Sequence, residues 1–174
     1  MGREKGGNKM SNTKVRIYYG QGEGKTSSAI GLCIKEASLG RCVIIIQFLK
    51  GKGLEEVKFL NRLEPEIKLF RFEKEEEGYC NLSDEEKNEE KRNIINGFNF
   101  AKKVIETREC DLLVLDEVLG LLDLEIISKE ELISLIELKE EDFGLILTGQ
   151  KLPDELISHA DVVTEFRTVK ENNE

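Results

Sequence analysis

Seven residues near the start of the chain, Gly20-Gln21-Gly22-Glu23-Gly24-Lys25-Thr26, restrict its fold more than any other feature. They follow a short β-prone run, Val15 to Tyr19. They precede a segment, Lys25 to Leu39, in which Ala29, Ile30, Cys33 and Ala37 recur at three- and four-residue spacings before Gly40. That spacing predicts a helix with a glycine stop. A glycine-rich turn between a strand and a helix can point its backbone N–H groups inward around phosphate oxygens. The helix N-terminus and Lys25 add positive charge, and the Thr26 hydroxyl can face Mg²⁺. The candidate phosphate-binding residues are therefore Gly20, Gln21, Gly22, Glu23, Gly24, Lys25, Thr26 and the next helical residue, Ser27. The run departs from G-x-x-x-x-G-K-[ST] at one place, where Tyr19 holds the first glycine position.

The rest of the chain repeats the alternation of strand and helix. Cys42 to Leu49 is a continuous apolar run, the composition of a strand covered on both faces of a parallel sheet. Leu54 to Leu63 reads as a helix, and Ile67 to Phe72, Asp111 to Asp116, Phe143 to Thr148 and Asp161 to Arg167 as strands, with a short helix over Pro153 to His159. Ser83 with Glu86, and Ser128 with Glu131, have the S-x-x-E spacing of reciprocal helix caps, so helices should start there and run to Thr107 and Leu138. This order predicts an α/β fold with a mainly parallel central sheet, its ligands at the carboxyl ends of the strands, and together with the glycine loop it makes a three-layer, RecA-like P-loop NTPase the expected architecture. Residues 1–13 carry almost no apolar side chains to offset their ordering and read as a flexible arm, 14–170 as one α/β domain, and 171–174 as a tail.

Charge and composition exclude other classes. With 26 basic and 35 acidic residues the net charge is −9, the wrong sign for nucleic-acid binding through phosphate neutralisation. No stretch approaches the roughly 18 uncharged apolar residues of a membrane helix, and MGREKGGNKM lacks the apolar core of a secretory signal, so no membrane is involved and a cytoplasmic location is expected. Cys33, Cys42, Cys80 and Cys110 form no C-x-x-C pair and read as buried or idle thiols. From Glu73 to Arg92 nine acidic residues face four basic ones, the mark of a solvated loop and helix face. The single histidine, His159, should end a short helix beside its dipole with no part in catalysis. Phe70, Phe72 and Phe98 are assigned to the core, whereas Tyr79, on a predicted loop, is placed to touch a ligand.

A second motif supports the first. Leu112-Leu113-Val114-Leu115-Asp116-Glu117 is an apolar strand ending in two carboxylates. Alone, such a pair often only caps a loop. Beside a phosphate loop, Asp116 can hold Mg²⁺ through water while Glu117 approaches the metal or orients a nucleophile. Thr148-Gly149-Gln150 ends a further strand on the same edge.

With these segments in view, the chain resembles the P-loop ATP:corrinoid adenosyltransferases. The resemblance covers residues 15–170 and rests on the glycine loop, Gln47-Phe48-Leu49-Lys50-Gly51, Leu115-Asp116-Glu117, Thr148-Gly149, Ala160-Asp161-Val162-Val163-Thr164-Glu165 and Val169-Lys170. The family's loop also spaces its glycines by one residue, which accounts for Tyr19. The resemblance implies that the Co(I) of a reduced corrinoid, cobalamin or a precursor, attacks the ribose C5′ of ATP and triphosphate leaves. Lys25 and Glu117 would carry the chemistry, with Thr26, Glu117 and Asp116 on the Mg²⁺. It also implies a homodimer and a flavoprotein reductant. By the same likeness Tyr79 takes the place of a family phenylalanine and Asn81 of a tryptophan at the corrinoid. The chain departs from the family in having no tryptophan, with Phe98 replacing another, Gln150 and Lys35 replacing arginines, and Glu171 replacing a histidine.

Two other readings fit the same phosphate loop. One is a different P-loop ATPase or kinase, in which Asp116 or Glu117 helps water or a hydroxyl attack the γ-phosphate and ADP is the product. The other is a nucleotide-binding module without turnover.

Overall fold

A computed structural model describes residues 13–50, 55–73 and 78–172. Six strands form one sheet: β1 (Val15–Tyr19), β2 (Val43–Gln47), β3 (Ile67–Arg71), β4 (Leu112–Asp116), β5 (Gly144–Gly149) and β6 (Val162–Glu165). Their order is β3-β2-β4-β5-β1-β6, and every neighbouring pair is parallel. The helices between them are α1 (Lys25–Ser38), α2 (Glu55–Asn61), α3 (Asp84–Thr107), α4 (Gly120–Asp123), α5 (Lys129–Glu137) and α6 (Asp154–Ile157). The predicted α/β fold with a parallel sheet is the one observed.

Alternation along the strands builds the three layers. Val43, Ile45, Leu112, Val114 and Ile146 pack with Ala29 and Cys33 of α1 on one face. Ile44, Ile46, Leu113, Leu115, Leu145 and Leu147 point the other way, onto Ile94, Phe98, Ala101 and Val104 of α3 and Leu132 and Leu135 of α5. Both faces of the central strands are covered, which is why they read as unbroken apolar runs. Ser83 and Ser128 each complete the expected reciprocal cap, accepting from the backbone N–H of Glu86 and Glu131 while those side chains accept from the serine N–H.

Several expectations are corrected. The strand expected to reach Leu49 stops at Gln47, because Leu49 adopts a left-handed φ of 57° and turns the chain out of the sheet. The strand expected to continue to Arg167 ends at Glu165, and the final short helix spans only Asp154–Ile157. A 3₁₀ turn at Tyr79–Asn81 and helix α4 had no periodic signal. The acidic stretch is not wholly solvated: Glu90 on α3 is 3% exposed and Glu73 is half-buried.

Other assignments stand. Phe98 is buried, and Phe70 and Phe72 both pack against the ring of Phe100. Cys33 and Cys110 are buried free thiols, Cys42 and Cys80 exposed ones. His159 follows α6, its Nδ1 3.8 Å from the Glu137 carboxylate. The arm predicted over 1–13 lies outside the described residues except for residue 13, as do 173 and 174 of the tail. Among the described residues no helix is long and apolar enough to cross a membrane.

Candidate functional site

The sheet register brings the carboxyl ends of all six strands to one edge. Tyr19 of β1 lies beside Gly149 of β5 and Glu165 of β6, and Gln47 of β2 lies between Asp116 of β4 and Arg71 of β3. From Tyr19 the chain enters the glycine loop, with Gly20 at φ 118° and Gly24 at φ 101° before α1 begins at Lys25. Those φ values exclude ordinary side chains. The loop is also braced from behind: Gly20 N–H donates to Gln150 O (3.1 Å), Gly22 N–H donates to Phe166 O (2.9 Å), and Phe166 N–H donates to Tyr19 O (2.7 Å). A β-carbon on Gly20 would collide with the Phe166 carbonyl, and one on Gly22 would come within 2.8 Å of the backbone at Phe166 and Arg167.

Lys25 caps this loop. Its Nζ donates to the carbonyls of Gly20 and Gly22, both at 2.8 Å, so the ammonium sits across the mouth of the turn. Gln21, Glu23 and Ser27 are exposed on the loop and the first turn of α1.

Asp116, 1% exposed, is the hub of the site. Its Oδ1 accepts from Thr148 Oγ1 (2.7 Å) and Thr26 Oγ1 (2.9 Å), and its Oδ2 from Gln47 Nε2 (3.1 Å). Gln47 is oriented in turn by Arg71, whose Nε and Nη2 donate to its Oε1 at 2.8 and 2.7 Å. A buried carboxylate is tolerable only when its lone pairs are satisfied in this way. Thr148 serves two neighbours, since its Oγ1 also accepts from Glu117 N–H at 2.8 Å. That bond helps hold Glu117 at its left-handed φ of 60°. Burial, and the negative charge of Asp116, raise the Glu117 carboxyl above its ordinary pKa, while Lys50 and Lys25 oppose the rise.

Lys50, like Gln47, Arg71 and Glu73, is a site residue to which sequence reasoning assigned no role. Its Nζ donates to Thr26 Oγ1 (2.9 Å) and pairs with Asp116 Oδ2 (3.1 Å). The turn at Leu49 delivers it there, and Glu73 anchors that turn by accepting from the Leu49 and Lys50 backbone N–H groups. Burial pushes the Glu73 carboxyl up to about 7, helped by the charge of Glu90 and opposed by these backbone donors and Arg71. The available signal was position: Lys50 stands just past the end of a central strand, where parallel sheets place ligand contacts.

Of the predicted site residues, the structure brings together Lys25, Thr26, Asp116 and Glu117. Tyr79 is half-buried against the larger core, and Asn81 is exposed on the same 3₁₀ turn. The oxygen donors suit a hard divalent cation: one hydroxyl, the Asp116 carboxylate and Glu117 beside it, with an ammonium already drawn to the same group. Among the described residues no three or more His, Cys, Asp or Glu side chains converge as a metal cage. A cation here would take the rest of its shell from phosphate and water, as Mg²⁺ usually does.

The family described as ATP:corrinoid adenosyltransferase BtuR/CobO/CobP matches residues 11–174. The corrinoid adenosyltransferase of Escherichia coli K12 is 25% identical over 156 residues, covering 90% of this chain and 77% of that protein. Corrinoid adenosyltransferase CobA of Salmonella typhimurium has the same identity and coverage. An uncharacterized Nostoc protein, all2391, is 26% identical over 168 residues, and this chain spans 43% of its length. In solved structures, the KaiC-like protein PH0186 of Pyrococcus horikoshii superposes with a TM-score of 0.55 at 20% identity, covering 93% of this chain and 75% of that one, a likeness of fold.

Proposed function

This chain belongs to the ATP:corrinoid adenosyltransferase family, and on that premise we propose that it moves the 5′-deoxyadenosyl group of ATP onto the Co(I) of a reduced corrinoid. Two electrons from cobalt form the Co–C5′ bond, the C5′–O bond breaks, and its electron pair leaves with triphosphate. The protein need supply no nucleophile. Its task is to stabilise a polyanionic leaving group, and the observation that carries the reading is the convergence of two lysines, Lys25 and Lys50, on one glycine loop and its Thr26. Preorganised cations and loop amides act on that charge without reorganising during reaction.

Thr26, Asp116 and Glu117 would hold Mg²⁺, which when bound neutralises phosphate charge. Lys25 gives up its two carbonyl partners to reach phosphate, and Glu117 keeps its negative charge best with a cation at hand. Tyr79 and Asn81 are the corrinoid-facing candidates, although the Tyr79 ring also supports the core. A flavoprotein supplying the electrons, a homodimer and a cytoplasmic location complete the reading.

The test is an anaerobic incubation of the protein with ATP, Mg²⁺ and chemically generated cob(I)alamin, following the corrinoid spectrum and assaying triphosphate. Adenosylcobalamin and triphosphate in equal amounts are expected. ADP without an adenosylated corrinoid would overturn the reading in favour of an ATPase or kinase. ATP binding without turnover on cobalamin or incomplete corrinoids would overturn it in favour of a binding module.

A further inference from the structure

The ammonium of Lys50 lies between a hydroxyl and a carboxylate that a divalent cation would also need. Thr26 Oγ1 accepts from Lys50 at 2.9 Å, Asp116 Oδ2 is 3.1 Å from it, and the Thr26 hydroxyl itself donates to Asp116. The closeness of these three groups leaves no second cation room between them, and two cations at such range repel strongly in a partly desolvated site. Lys50 is nevertheless free to leave. Its side chain is 30% exposed, whereas its partner Asp116 is 1% exposed and keeps Thr148 and Gln47 as donors after the lysine departs. Lys25 is parked in a similar way, on the loop carbonyls of Gly20 and Gly22. Both charges that phosphate needs are thus stored on protein oxygens around the same loop.

From this we infer that Lys50 is an internal counter-ion, an alternative occupant of the metal position that moves onto the phosphates when the metal and nucleotide enter. The proposal rests on the nucleotide reading above and adds to it an exchange step: ammonium out, divalent cation in. Such an exchange keeps Asp116 compensated at every stage, so the empty site carries no naked buried carboxylate. It also makes metal binding depend on nucleotide. Only phosphate offers Lys50 a new seat, and metal alone must displace the lysine into water. The Glu73 contacts that anchor the Leu49 turn keep the base of Lys50 in place while its stem swings.

The readout is binding rather than turnover. Free Mn²⁺ is measured by electron paramagnetic resonance in titrations of the full chain without nucleotide, for wild type, Lys50→Met, Lys50→Gln and Lys50→Arg. Metal-free ATP binding is measured in parallel by calorimetry. The exchange predicts that Lys50→Met and Lys50→Gln bind Mn²⁺ at least tenfold more tightly than wild type and metal-free ATP at least tenfold more weakly, while Lys50→Arg stays near wild type in both. A lysine with a purely structural role would weaken both ligands together when replaced. Mn²⁺ affinity that is unchanged or lower in the folded Met and Gln variants overturns the proposal. The Gln variant, which can still donate to Thr26, covers a failure of Lys50→Met to fold. Wild type that binds no ATP under any condition would overturn the functional reading instead, and the Mn²⁺ comparison would still decide the exchange.

Discussion

Replacing Glu73 by Gln should flatten the pH dependence of stability, and the size of the effect follows from where the carboxyl sits. In the folded chain its pKa is raised from the usual 4.5 to about 7, chiefly by burial. Between those values the native state holds a proton that the unfolded chain has lost, so stability falls as pH rises through the window. The contribution is fully favourable only below the unfolded value and reaches its greatest cost above the folded one. Integrated from about pH 5 to about pH 8, one such proton amounts to about 2.5 kcal/mol, which the partial exposure of the side chain trims to about 2 kcal/mol. Gln keeps an oxygen to accept from Leu49 N–H and carries no titrating proton. Urea denaturation of both proteins at intervals across that range isolates the term, since titrating groups that do not interact with Glu73 cancel in the difference. Wild type should lose about 2 kcal/mol against Glu73→Gln on going from the acid to the alkaline end. Parallel curves would refute the assignment of a desolvated carboxyl at the foot of the Lys50 turn.

Three further substitutions probe the loop and the corrinoid side. Gly20→Ala places a β-carbon against the Phe166 carbonyl at a φ of 118°, costing about 3 kcal/mol of stability and removing ATP binding, both measurable by thermal melts and calorimetry. Lys25→Ala should leave the melting temperature nearly unchanged and abolish ATP-dependent turnover, and full activity in that variant would end the phosphate-loop assignment. Tyr79→Ala should reduce turnover of the corrinoid much more than affinity for ATP. Equal losses would mean that the ring acts only through the core it packs against.

Features written in adjacent residues were legible in the sequence, and features made by distant ones were not. The glycine loop, the two serine caps and the buried central strands each depend on neighbours within a few positions, so spacing alone found them. Asp116 was recognised as a strand-terminal carboxylate, yet its donors Thr26, Gln47 and Thr148 are 90, 69 and 32 residues away. Only the strand order joins them. Lys50 is legible only as part of the Gln47 to Gly51 segment and not as a contact of Thr26 and Asp116, since the apolar run continues to Leu49 and a left-handed residue in mid-run has no compositional mark. Charge counting failed at Glu73 and Glu90 for a similar reason: an acidic stretch looks solvated even where the chain after β3 and one face of α3 each turn a carboxylate inward.

The back of the phosphate loop is made from Phe166 and the strand before it, which also brings Asp161 to Val15 across 146 residues of sequence. On a ribosome, β1 and its loop are synthesised among the first parts of this domain, and their brace among the last. Nucleotide therefore has no finished seat on the nascent chain and cannot template its folding. Both neighbours of β1, β5 and β6, arrive late, so the first strand made waits longest for its partners. Until then its backbone edges wait unpaired.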